Sequence, residues 1–195
     1  MNNTNQNLNK SIKIALLAAI ATILMFIEIP LIPMFAWLKL DLSEVPVLLG
    51  AFGYGPLAGV IIEGVKILLH LLLKGTQTGG AGEIANFLIG ISLIVPASYI
   101  YVKNKSKKTA IIGMIIGGLI MEIVAIFSNV YIILPIYNMK MNTAELMQYI
   151  SIGLIPFNAL KAILVNIITF IVYKKVSLAI FKVDAQFGSK KKVQG

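Results

Sequence analysis

The chain contains no cysteine, which removes disulfides, thiolate metal sites and a cysteine nucleophile together. It holds one histidine, and a metal site needs more than one, with carboxylates nearby in space, so no metal is expected. It lacks the phosphate-cradling Gly-x-x-x-x-Gly-Lys-Ser/Thr of ATP-hydrolysing proteins. It also lacks His-Glu-x-x-His and any paired acid and base beside a nucleophile, so it is not read as an enzyme and no cofactor is expected. Charge is scarce, at 13% of 195 residues. Alternating segments of about ten residues, the mark of a membrane β-barrel, are missing too.

What fills the chain instead is apolar: 58% of residues are hydrophobic and mean hydropathy is +0.88. They fall in long runs at 12–29, 56–73, 84–102, 109–134 and 152–173, each about the 17–25 residues that cross a hydrocarbon core as a helix. The chain is therefore an integral protein of the lipid bilayer. Net charge of +9 does not point to nucleic acid, because the lysines flank apolar runs and no soluble segment carries a binding surface.

Residues 42–73 read either as one kinked helix or as two helices meeting at Gly53-Tyr54-Gly55-Pro56. Lysine placement decides between them. With a turn there, Lys10, Lys13, Lys103, Lys105, Lys107, Lys108, Lys174, Lys175, Lys182, Lys190, Lys191 and Lys192 lie inside, against Lys39, Lys74 and Lys140 outside, as the positive-inside rule requires. The expected fold is an all-α, six-transmembrane-helix bundle with cytoplasmic N- and C-termini, in the cell membrane. Residues 1–11 form an N-terminal tail, 12–180 the transmembrane domain and 181–195 a basic tail. The first span is expected to be retained, since no small-residue cleavage site follows it. The second span, 43–53, is short. Outside loops are expected at 30–42, 74–83 and 135–151, and loops of that length on one face act as lids.

Polar residues in apolar spans mark function, because lipid makes them costly. His70, Asn86, Asn129, Asn158 and Lys161 fall at one apparent depth. Pro156 is expected in the first turn of the sixth span, placing Asn158 and Lys161 roughly 3 and 8 Å below its outer end. The fifth span is expected to stop before Pro135, leaving Asn129 roughly 8 Å down. Asn158 and Lys161, three apart, share a helix face. Amides donate and accept whereas the ammonium only donates, a set suited to a heterocycle rich in carbonyls and ring nitrogens. The competing reading of each asparagine is an interhelical hydrogen bond. Glu63, Lys66 and His70 share a face of the third span. With Glu122 they read either as buried ion pairs, Glu63–Lys66 or Glu122–Lys66, or as a proton relay for a self-sufficient carrier. Loop 30–42 carries Pro30, Pro33, Met34, Phe35 and Trp37, which fit an apolar flap over a flat ligand or an interfacial aromatic belt with Tyr54. Ala15 and Ala19 in the first span form a small-xxx-small pair that lets another helix approach, within the bundle or from a separate subunit.

At Leu40-Asp41-Leu42-Ser43-Glu44-Val45-Pro46, Gly55-Pro56-Leu57-Ala58-Gly59, Ala85-Asn86-Phe87-Leu88-Ile89-Gly90, Leu134-Pro135-Ile136-Tyr137 and Ile155-Pro156-Phe157-Asn158-Ala159-Leu160-Lys161, the chain resembles the substrate-binding (S) components of energy-coupling factor (ECF) transporters, the riboflavin-specific kind above all. The resemblance implies a vitamin binder with an outward pocket closed by the loop after the first span. Asn129, Asn158 and Lys161 would bond riboflavin, with Asn86, Leu40 and Trp37 around it. It also implies a transmembrane coupling subunit, faced by Ala15 and Ala19, and two ATP-hydrolysing subunits. Other S components take thiamine or biotin, and those vitamins are the alternatives.

Overall fold

The computed structural model describes residues 3–76 and 78–176. The basic tail expected at 181–195 lies outside the described residues. Among the described residues, five helices are long and apolar enough to cross a membrane, and a sixth apolar helix, Glu44–Tyr54, is shorter.

The first helix, α1, runs Asn3–Met25. The expected polar tail is therefore helical: no Gly or Pro interrupts residues 3–25, so nothing stops the helix propagating into its polar first turns. It ends four residues short of position 29, where the chain enters a small hairpin. Strand β1 (Ile29–Pro30) pairs antiparallel with β2 (Lys39–Leu40), Ile29 opposite Leu40 and Pro30 opposite Lys39. A 3-10 turn at Pro33–Phe35 lies between the strands. This hairpin is the flap.

Helices α2 (Glu44–Tyr54) and α3 (Pro56–Lys74) meet at Gly55, whose φ of 98° only glycine adopts readily. Pro56 opens α3, where its missing N–H costs nothing. The short α2 is covered along its length, with every residue from Glu44 to Phe52 buried. Helix α4 spans Ala81–Lys103. Helix α5, Lys107–Ser128, begins at a reciprocal Ser106/Thr109 capping box. A Cβ on Gly113 or Gly117 of α5 would lie 2.5 or 2.4 Å from the Ala97 or Leu93 carbonyl oxygen of α4. The two backbones thus touch where glycine alone permits it.

The outer ends of the last two spans depart from expectation at their prolines. Beyond α5 the helix continues through a π-helical turn, Asn129–Ile133, into α6 (Leu134–Ile136), so Pro135 does not stop it. Likewise α7 (Thr143–Gln148) runs through a π-helical turn, Tyr149–Leu154, into α8 (Ile155–Val176). Pro156 is inside this helix instead of at its start. A proline ring clashes with the carbonyl four residues back and lacks an N–H. In both cases that carbonyl, of residue 131 or 152, belongs to a π turn, where the wider winding accommodates the ring. The loop expected at 135–151 shrinks accordingly, and Asn158 and Lys161 lie far from the helix start.

Among the described residues, two apolar clusters hold the bundle. One joins Leu17, Ala18, Leu48, Phe52, Ile62, Leu93, Met121 and Tyr173 from six helices. The other lies under the flap and joins Phe35, Leu38 and Leu40 to Leu134, Tyr149, Leu154 and Phe157. Leu57, Leu72, Leu119 and Ile163 point outward, as lipid-facing residues do.

Candidate functional site

A cavity of about 290 Å³ opens at the flap end of the bundle. Its wall gathers Asn86 from α4, Asn129 from the first π turn, Asn158 and Lys161 from α8, His70 from α3 and Trp37 from the flap. The residues expected to share a depth therefore share a cavity, although the helix ends used to place Asn129, Asn158 and Lys161 differ from those observed. Leu40, which the resemblance places around the ligand, packs instead in the apolar layer beneath the flap.

Asn129 and Asn158 are partly committed to the protein. Asn129 Nδ2 donates to Ala125 O at 2.9 Å, and its Oδ1 accepts from the Tyr149 hydroxyl at 3.0 Å. Asn158 Nδ2 donates to Leu154 O at 2.9 Å. An amide carries two donor hydrogens and two acceptor lone pairs, so each side chain is oriented by the bundle and keeps bonding capacity for a ligand. Asn86 is exposed at the cavity wall.

Lys161 is held by carboxylates to which the sequence reading gave no role. Its Nζ lies 3.1 Å from Asp41 Oδ2 and 3.5 Å from Glu44 Oε1. Glu44 also reaches Lys66 with its other oxygen, at 3.0 Å, and Lys66 lies 2.8 Å from Glu63. Ser43 Oγ accepts a further hydrogen bond from Lys66 at 3.1 Å, and the Ser43 N–H donates to Asp41 Oδ1 at 2.8 Å. A continuous chain, Asp41–Lys161–Glu44–Lys66–Glu63, thus ties the flap-to-α2 loop to α3 and α8, and every member is buried. Burial alone would raise the Asp41 carboxyl. The charges of Lys161 and Lys66 and the Ser43 bonds outweigh it and hold Asp41 at about 2. Counting charge could have exposed this network: two lysines in apolar spans require acids within reach, and Asp41 and Glu44 flank the start of α2.

Of the two expected pairs, Glu63–Lys66 forms, whereas Lys66 takes Glu44 in place of Glu122. Glu122 Oε1 and both His70 ring nitrogens have no hydrogen-bond partner among the described residues. The His70 ring lies 5.0 Å from that of Phe26.

At the cavity mouth Glu28 Oε2 sits 2.9 Å from both Lys39 of the flap and Lys74 at the end of α3. Partial burial opposes the Glu28 charge, but the hydrogen bonds from Lys39 and Lys74 prevail and lower its pKa below the usual carboxylate value. Trp37 packs against Phe35 and Tyr149 at centroid distances of 5.6 and 5.9 Å. Tyr54, at the α2 end remote from the flap, takes no part in it. Ala15 and Ala19 are exposed, while Ala18 and Ala21 turn into the bundle. The alanine pair therefore presents a smooth outward stripe.

Membrane-length helices around a polar cavity, roofed by an aromatic flap, define a multi-pass membrane protein built to hold a small ligand. Residues 9–173 match the family described as "ECF transporter, substrate-specific component", and the chain belongs to that family. It is 37% identical over 179 residues to the riboflavin transporter RibU of Staphylococcus aureus (strain TCH60), covering 90% of this chain and 93% of that one. The riboflavin transporter FmnP of Bacillus subtilis (strain 168) is 29% identical over 172 residues, covering 85% and 90%. A solved structure described as "Structure and mechanism of the S component of a bacterial ECF transporter" superposes with a TM-score of 0.76 at 38% identity, covering 88% of this chain and 96% of that one.

Proposed function

We propose that this protein is the riboflavin-binding subunit of an ECF importer, taking up the vitamin together with a transmembrane coupling subunit and two ATP-hydrolysing subunits. The observation that carries the reading is the convergence of Asn129, Asn158 and Lys161 on one cavity beneath the Trp37 flap, in a chain whose relatives S. aureus RibU and B. subtilis FmnP are both named riboflavin transporters. An apolar slot with a few convergent donors and acceptors suits a flat ring edged with carbonyls and nitrogens. The ribityl chain would extend toward the Glu28–Lys39–Lys74 mouth. In this arrangement Glu44–Tyr54 counts as a sixth span, residues 12–180 form one transmembrane domain, both termini are cytoplasmic and the cavity faces outward. The Ala15/Ala19 stripe receives the coupling subunit. The chain binds riboflavin as cargo, catalyses no reaction and needs no cofactor.

Thiamine or biotin would require a different donor set in the same cavity. A self-sufficient proton-coupled carrier is disfavoured because Lys66 is engaged by Glu44 and Glu63, which takes it out of a relay with His70 and Glu122. Reconstitution into liposomes separates these readings. Riboflavin uptake should need the coupling and ATPase subunits with ATP, and should survive collapse of the proton gradient. Uptake by this chain alone that collapses with the gradient would establish the carrier instead.

A further inference from the structure

Tyr149 is fully buried and does not line the cavity, yet its hydroxyl joins two residues that do. The Trp37 indole N–H donates to Tyr149 Oη at 3.1 Å, and Tyr149 donates onward to Asn129 Oδ1 at 3.0 Å. The direction is fixed by chemistry. An indole nitrogen can only donate, so the phenol oxygen must accept from it and spend its single hydrogen on Asn129. Because Asn129 Nδ2 is occupied by Ala125 O, the amide oxygen is the atom that meets Tyr149. Three elements are thereby linked in one direction: the flap, the second π turn and the first. The flap is seated on the same surface by packing. Phe35 lies 5.0 Å from the Tyr149 ring, and a Cβ on Gly153, one turn further along, would fall 2.8 Å from the Phe35 ring.

We infer that Tyr149 is a positioning residue that couples closure of the Trp37 flap to the orientation of the Asn129 amide, and so sets how long the ligand stays bound. The inference rests on the riboflavin-binding reading. A ligand leaving under the flap must displace Trp37, which breaks the Trp37–Tyr149 bond and frees the phenol that holds Asn129. Closing the flap restores both constraints together. Removing the hydroxyl uncouples them without removing any group that lines the cavity.

The test is stopped-flow riboflavin fluorescence on the purified protein, comparing wild type, Tyr149→Phe, Trp37→Phe and the double variant. Tyr149→Phe should speed dissociation about five- to tenfold, the worth of one hydrogen bond, with association within about twofold of wild type. The double variant should dissociate more slowly than the product of the single effects requires, because both changes break one chain. A dissociation rate within about twofold of wild type in Tyr149→Phe, or effects that simply multiply, would overturn the inference. A wild-type protein that does not bind riboflavin would instead overturn the reading beneath it. Should Tyr149→Phe fail to fold, wild type still decides. Trp37 is the sole tryptophan, so its indole N–H gives a single NMR resonance. Riboflavin should slow its exchange with water at least about tenfold, and exchange indifferent to the ligand would refute the coupling.

Discussion

Replacing Lys161 with Met removes both a cavity-lining donor and the counter-ion of a buried acid, and the two effects can be separated. Asp41 Oδ2 is 3.1 Å from Lys161 Nζ, each side chain is 10% exposed, and Glu44 keeps Lys66 as a second partner whereas Asp41 forms no other ion pair within bonding distance among the described residues. Solvent therefore screens the pair little. Breaking such a pair from one side costs about 3–5 kcal/mol, or about 6–20 °C in melting temperature for a chain of this size. Adding Asp41→Asn removes the stranded charge while keeping the Oδ1 acceptor for the Ser43 N–H, so the double variant should regain most of the lost stability. Riboflavin affinity should stay about 5- to 150-fold weaker in both, since the ligand loses hydrogen bonds worth about 1–3 kcal/mol either way. Thermal unfolding in detergent beside a riboflavin titration reads both quantities. A single variant melting within about 2 °C of wild type would refute the buried-pair argument. A double variant with restored affinity would show that Lys161 serves Asp41 and not the ligand.

Leucine at both Ala15 and Ala19, which point away from the bundle, should leave riboflavin affinity within about twofold of wild type and abolish uptake by the reconstituted complex; lost affinity would mean that the stripe packs internally. Gly117→Ala places a methyl 2.4 Å from Leu93 O and should cost about 1–3 kcal/mol by overpacking, read as a lower melting temperature, whereas an unchanged one would show that α4 and α5 part freely. Asp41 titrates at about 2 in the folded protein against an ordinary 3.8, so its stabilisation is full above about pH 4 and is lost as pH falls from 3.8 toward 2. Melting temperature should accordingly fall more steeply over that window in wild type than in Asp41→Asn, and parallel profiles would contradict the assignment.

The spans were legible because lipid imposes both length and apolarity, and because Gly55-Pro56 combines a positive φ with a helix-opening proline. The outer ends of the last two spans were not. Pro135 and Pro156 read as boundaries because proline breaks an α-helix, while the fold absorbs each in a π turn that leaves no compositional trace. Asn129, Asn158 and Lys161 stood out as polar residues in apolar surroundings, which requires no knowledge of partners. Asp41 did not, because its pairing with Lys161 spans 120 positions and exists only once the flap-to-α2 loop folds against α8. Tyr149 was hidden for a related reason: a tyrosine near a membrane edge reads as interfacial, and only the packed structure reveals the two bonds its hydroxyl makes.

The central claim, that this cavity holds riboflavin through side chains of α5's π extension and α8, is tested most directly by titrating purified wild type and Asn158→Ala with riboflavin, following flavin fluorescence. Stoichiometric quenching by wild type, weakened about 5- to 150-fold in Asn158→Ala at an almost unchanged melting temperature, is the predicted result. A wild-type protein indifferent to riboflavin, or an Asn158→Ala variant that binds as tightly as wild type, would contradict it.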